Sequence, residues 1–252
     1  MNKYYTLVLL ICFGLSGCQS TGGRESSYVK PNQKAAELNM RLGLNYLQRG
    51  DYEIALEKLE KALKQDPRLA TAHNTIAALY QQLVELDKAE YHYKKAVSLD
   101  PKYSAAQNNY GAFLCQQGRY QDAEKRFLAA LENPLYRHPA QAYENAGLCA
   151  SRIPNIELTE HYLGKALQLN PRLGKSLLAL ADIRYDQSDY IATRGYIERY
   201  REASAWTPKA LLIAIKTENR LNDQDAVASY SVLLRGRFPD SEESKQVQNG
   251  YY

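Results

Sequence analysis

Apolar positions in this chain fall in phrases that recur. ALEKLEKALKQDP ends at Pro67, AEYHYKKAVSLDP at Pro101 and TEHYLGKALQLNP at Pro171. Pro67 and Pro101 stand 34 residues apart. With each closing proline set as position 32 of a unit, units begin at 36, 70, 104, 140, 174 and 208, and only the step from third to fourth departs from 34, by two extra residues. Small residues occupy fixed positions in each unit. Position 8 holds Gly43, Ala77, Gly111, Gly147 and Ala181; position 20 holds Ala55, Ala89, Ala123, Thr159 and Thr193; position 27 holds Ala62, Ala96, Ala130 and Ala166. Large residues surround them, such as Leu42, Tyr46 and Leu59 in the first unit, or Tyr110, Leu114 and Phe127 in the third. This pattern predicts two helices per unit, crossing closely where side chains are small. The turns contain Gly50-Asp51-Tyr52, Gly118-Arg119-Tyr120 and Ser188-Asp189-Tyr190, where glycine supplies the left-handed backbone that ends many helices. Each closing proline cannot continue a helix and pushes its predecessor (Asp66, Asp100, Asn170) out of helical geometry.

A 34-residue period of paired helices is the signature of tetratricopeptide repeats. The expected fold is therefore all-α, a superhelical solenoid of six helix-turn-helix repeats over residues 36–252. The sixth unit is degenerate, with Ile215 at the small position. It reads as a capping repeat whose outer face meets water, or as another helical hairpin. The two-residue insertion lies in Asn133-Pro134-Leu135-Tyr136-Arg137-His138-Pro139, a stiff connector between repeats three and four.

The first residues follow another pattern. Lys3 supplies a positive start and residues 4–17 form a mostly apolar run of fourteen. That is short of the ~20 residues that span a bilayer, so residues 1–17 read as a signal peptide. Leu15-Ser16-Gly17-Cys18 resembles a bacterial lipobox, which makes Cys18 the expected lipidation site; an ordinary secretory leader with a chance cysteine is the alternative. Bacterial lipoproteins carry several acyl chains, and two or more chains anchor stably. Gln19 stands where an aspartate often retains lipoproteins in the inner membrane of Gram-negative bacteria, so the expected place is the outer membrane, facing the periplasm. Residues 18–35 are then a lipidated cysteine and a flexible, polar tether.

Composition adds little to this picture. The formal charge of +4 falls to near +3 once Lys3 leaves with the leader, too mild and unclustered for a nucleic-acid binder. The four histidines (73, 92, 138, 161) are scattered, none at metal-ligand spacing. No nucleophile elbow is present, and Gly174-Lys175-Ser176 lacks the leading glycine of a phosphate loop because position 169 is leucine. The expectation is a non-enzyme with no cofactor, no small-molecule substrate and no nucleic-acid partner. Cys115 and Cys149 fall on the first helices of neighbouring repeats, where a disulfide is geometrically open to them in an oxidising periplasm; two unpaired buried thiols are the other reading. Solenoids of this kind bind peptides or helices along the concave face lined by first helices, where positions 2, 5, 9, 12 and 13 point. The expected protein-binding residues are Met40, Leu44 and Leu47, an apolar patch, followed by the amides Asn74, Gln81, Gln82, Asn108 and Gln116. A solvated inner surface is the alternative. Met40 and Leu44 stand where chaperone-binding repeats carry Lys and Asn, which argues against a chaperone-tail clamp.

The stretches RLGLNYLQRGDYEIALEKLEKAL, NNYGAFLCQQGRYQDAEKRFLAALENPLY and YENAGLCA go beyond plain repeat wording. With the lipobox, the tether and six repeats, the whole chain resembles the type IV pilus biogenesis lipoproteins of Gram-negative bacteria, the PilF/PilW pilotin family. The resemblance implies an outer-membrane lipoprotein that helps the secretin, the pilus exit pore, reach the membrane and multimerise, with effects on pilus stability. Its implied partners are the secretin subunit and, through the lipid anchor, the outer membrane. The rival reading is a repeat lipoprotein serving outer-membrane barrel assembly or cell-wall enzymes.

Overall fold

The computed structural model describes residues 32–250; the expected signal peptide, Cys18 and most of the tether lie outside them. The described residues fold as thirteen helices without strands. They pair as α1 (Gln33–Arg49) with α2 (Tyr52–Gln65), α3 (Ala70–Gln82) with α4 (Leu86–Leu99), and α5 (Ser104–Gln116) with α6 (Tyr120–Leu131). The series continues with α7 (Pro139–Ala150) and α8 (Ile156–Leu169), α9 (Gly174–Asp186) and α10 (Tyr190–Ala203), then α11 (Pro208–Arg220) and α12 (Gln224–Arg237). A short α13 (Glu242–Gln248) is the last helix among the described residues. The odd-numbered helices from α1 to α11 also touch one another in series, so they form one continuous inner layer. This is the superhelical repeat architecture that the 34-residue period predicts.

Four inner helices begin at residues 70, 104, 174 and 208, and α7 starts one residue before its unit. The exception is α1, which starts at Gln33 because Asn32 caps it, accepting a hydrogen bond from the Ala35 N–H at 3.2 Å. Residues 33–35 are therefore helix and not tether. The breaks between pairs repeat one device. Asp66, Asp100 and Asn170 leave helical geometry with φ near −140°, and each side-chain oxygen accepts from the backbone N–H two residues on, at 2.9, 3.1 and 3.1 Å.

The small positions explain how close the helices lie. A Cβ on Gly43 would sit 2.6 Å from Leu59 Cγ, one on Gly111 2.7 Å from Phe127, and one on Gly147 2.5 Å from Leu163. Leu59, Phe127 and Leu163 are all fully buried, and removing each from water stabilises the fold by about 1.5–3 kcal/mol. Threonine takes alanine's place at 159 and 193 without leaving an unsatisfied hydroxyl: each Oγ1 donates to the carbonyl four residues back, at 3.0 and 2.8 Å. The sixth unit packs in register around Ile215, Val227 and Leu234. There α13 lays Val247 against the same cluster, closing the C-terminal end. At the N-terminal end Leu38 stays 59% exposed on α1, with Ile54 exposed on α2.

Candidate functional site

Sequence register points to the inner layer of α1, α3, α5, α7, α9 and α11. The structure separates the expected contact residues into three groups. Met40 and Leu47 are half-buried and packed against the first core cluster around Leu59, Ile76 and Leu79, while Leu44 is exposed beside them. Asn74 and Asn108 are each only 7% exposed. The Asn109 amide donates to Asn74 Oδ1 at 3.2 Å, and the Asn145 amide donates to Asn108 Oδ1 at 3.0 Å. Both asparagines are struts between neighbouring inner helices, so the expectation that they face an open groove gives way: position 5 lies in the seam between helices. Gln81 joins that lattice, accepting from the Tyr93 hydroxyl at 2.8 Å and donating to Gln116 Oε1 at 2.7 Å. Gln82 and Gln116 remain exposed.

The open part of the concave face lies further along. A depression of about 610 Å³ is lined by Ala112, Gln116, Asn145, Leu148, Arg152 and Lys175, with the Cys115–Cys149 disulfide in its wall. The structure joins those cysteines with Cα atoms 5.8 Å apart, tying α5 to α7 across the insertion. A second depression of about 460 Å³ shares Leu148 and Arg152 and runs on to Asp182, Ile183, Asp186 and Lys209. Sequence register included Gln116 but passed over Leu148, Arg152, Lys175, Asp182 and Lys209. All five had a signal available: positions 2, 9 and 13 applied to repeats four, five and six.

One charge network lies on the repeats before the depressions. Burial alone would raise the Glu90 carboxyl, but hydrogen bonds from Lys94, Arg119 and the Tyr110 hydroxyl hold it at about 2. Burial and the carboxylate it bonds push Tyr110 up to about 12. His73 and His92, which look unrelated in sequence, meet with their Nδ1 atoms 2.9 Å apart, and His73 Nε2 lies 3.1 Å from the Pro67 carbonyl oxygen. Position 4 of one inner helix and position 23 of its partner bring them together. Burial lowers both, His92 to about 4 with help from His73. Among the described residues no group of three or more His, Cys, Asp or Glu could hold a metal ion, and no helix is long and apolar enough to cross a membrane.

An inner layer of repeated helices with an open concave face defines a tetratricopeptide solenoid, a class of protein that binds protein partners. Models of the TPR repeat match residues 43–84, and of the tetratricopeptide repeat residues 70–103 and 92–125. The chain is 33% identical over 249 residues to the type IV pilus assembly protein PilF of Pseudomonas aeruginosa, covering 98% of this chain and 99% of that one. An uncharacterized protein of Haemophilus influenzae is 32% identical over 67% of this chain and 92% of its own. The solved structure of Pseudomonas aeruginosa PilF superposes with a TM-score of 0.81 at 33% identity, over 86% of this chain and 98% of that one. That of PilW, described as a widely conserved type IV pilus biogenesis factor, gives 0.76 at 29% identity, over 84% and 98%. The chain belongs to the PilF/PilW family of tetratricopeptide-repeat pilus biogenesis proteins.

Proposed function

We propose that this protein is a lipid-anchored scaffold on the periplasmic face of the outer membrane, which delivers the type IV pilus secretin to that membrane and promotes its multimerisation. The observation that carries the reading is the extent of the match to a pilus assembly protein. It spans 98% of the chain, where the helical repeats alone would account for less. The chemistry of the surface supports it. The concave face offers exposed amides (Gln82, Gln116), which can pair with a backbone, and an apolar contact at Leu44 for an anchor side chain. Neither asks for catalysis. Cys18 at the end of the apolar leader would hold the solenoid at the membrane, while the polar residues after it give reach.

The test compares cells carrying the wild-type gene, Cys18→Ala or a deletion, with membranes separated and heat-resistant secretin multimers run on gels. The expected result is loss of outer-membrane multimers in the deletion, and mislocalised or depleted multimers with Cys18→Ala. Normal multimers in all three strains would overturn the reading.

A further inference from the structure

The larger depression is unusual in its polar lining. Gln116 Oε1 already accepts from Gln81 at 2.7 Å, and Asn145 Oδ1 accepts from Gln141 at 3.2 Å. Arg152 and Lys175 make no ion pair and no side-chain hydrogen bond among the described residues. The carboxylate nearest in sequence register, Glu144, is only 4% exposed; its oxygens accept from the Ser176 N–H and hydroxyl, at 3.2 and 3.0 Å, and from the Gln141 amide at 3.0 Å. The amide oxygens and the Glu144 carboxylate thus already hold donors, while the two cations hold no side-chain acceptor. In the neighbouring depression, which shares Arg152, Lys209 pairs with Asp182 at 2.6 Å, and Asp186 there makes no ion pair with either cation. Ala112, Leu148, the disulfide, and Phe127 and Tyr120 from α6 supply the rest of the lining.

We infer that this depression, on α5, α7 and α9, is a docking site for an extended acidic segment of a protein partner, with carboxylates reaching Arg152 and Lys175 and an apolar side chain resting on Leu148. The inference rests on the reading that the concave face receives a protein, and it specifies that protein's chemistry. Two cations without partners on a concave wall raise the local positive potential and attract carboxylates. Arginine adds a planar fork that fits a carboxylate at two points. Arg152 stands two residues past the end of α7 and Lys175 at the start of the neighbouring α9, register positions 13 and 2. Eleven helical residues cover roughly 16 Å, which an extended chain crosses in about five residues. The fitting segment therefore carries two acidic residues about five apart with an apolar residue between them.

The experiment uses the full-length chain and two fluorescein-labelled eight-residue peptides read by anisotropy. One has two glutamates flanking an apolar centre; its twin has glutamines in their place. The glutamate peptide should bind at least tenfold tighter, and should weaken as salt rises. Arg152→Glu combined with Lys175→Glu should abolish the preference, with circular dichroism confirming the fold. Lys125→Glu, on the outer helix α6, should leave it unchanged, and Arg152→Lys should retain part of it. The inference is overturned if the twins bind alike, if neither binds, if the double reversal changes nothing, or if 10 mM inorganic phosphate displaces the peptide fully, which marks an anion site only. In cells the two readings separate. Normal secretin multimers in the double-reversal strain, alongside loss in the deletion, would sink this inference alone. Normal multimers in the deletion strain would sink the secretin reading and leave the peptide result standing.

Discussion

The first three repeats and the last three follow one helix register yet present different inner faces. Between α3 and α7 the inner helices are tied side by side by amides: Asn109 to Asn74, Gln81 to Gln116, and Asn145 reaching back from α7 to Asn108. From α5 onward the face opens into two depressions, the larger reaching from α5 to α9 and the second from α7 to α11, with leucine and charge in their lining. Position 5 stays a strut in repeat four, where Glu144 accepts from Ser176, while positions 9 and 13 there, Leu148 and Arg152, become lining. Register alone states which way a side chain points; its neighbour, one repeat away, decides whether it is free. The disulfide and the two-residue insertion lie where the two halves meet.

The largest expected effect comes from cutting that join. Cys115→Ser with Cys149→Ser, or reduction of the wild type, frees a loop closed over a sequence separation of 34. Loop-closure entropy puts the loss at roughly 3–4 kcal/mol. Urea unfolding followed by circular dichroism measures it, and separate transitions for the two halves should emerge. A loss below about 1 kcal/mol would mean that packing alone holds the halves together.

A second test asks whether the halves share their packing despite their different faces. Gly111→Val and Gly147→Val each drive a side chain into a fully buried neighbour, Phe127 and Leu163. Both should cost about 2–3 kcal/mol. Gly164→Ala, on α8 with nothing within 4 Å of the added Cβ, should instead gain about 0.5–1 kcal/mol. Unequal costs at 111 and 147 would show that one half relaxes around the intrusion.

These glycines also mark what could be read before the structure. Six helix pairs followed from small residues and closing prolines because both act locally, within one unit. The lattice of amides could not be seen, since it depends on partners 35 and 37 residues away meeting side by side. Nor could the His73–His92 contact, which spans a turn. The capping helix α13 was missed because only Val247 of its seven residues is apolar, although Ser241 followed by Glu242 and Glu243 is a helix start of the usual kind.

The histidine pair separates the halves by pH, for it belongs to the first alone. Burial depresses both imidazoles in the folded state, His92 to about 4, with Lys95 adding to the effect on His73 and Asp66 opposing it. Below the ordinary pKa of about 6.5 the unfolded chain binds protons that the folded chain refuses, so stability falls as pH drops from 6.5 towards 4. The expected loss is on the order of 1–2 kcal/mol, allowing for partial exposure of the rings. Glu90 acts in a different window: its depressed carboxyl holds stability that disappears only as pH falls from the ordinary carboxylate range to about 2. His92→Gln should flatten the upper window and leave the lower one intact. An unchanged profile would show that the pair opens to water in solution.

The smallest effect concerns the turn between the two helices of every repeat but the fourth, which has Pro154 at that slot. Gly50 and Gly118 take this slot with φ of 83° and 74°, while Val84, Ser188 and Asn222 hold it at 60–62°. A left-handed backbone costs a residue with a side chain about 1–2 kcal/mol, and most for a β-branched one. Glycine escapes that strain but gives back roughly 0.5–1 kcal/mol through the freedom it has when unfolded. Val84→Gly should therefore raise stability by about 0.5–1 kcal/mol, visible as a shift in urea midpoint at constant slope. Val84 is 74% exposed, so little packing is lost with its side chain. Ser188→Gly should gain less and Asn222→Gly least, because asparagine tolerates this conformation best among the three. A loss at position 84 would show that its exposed isopropyl group contributes more to the folded chain than the strain removes.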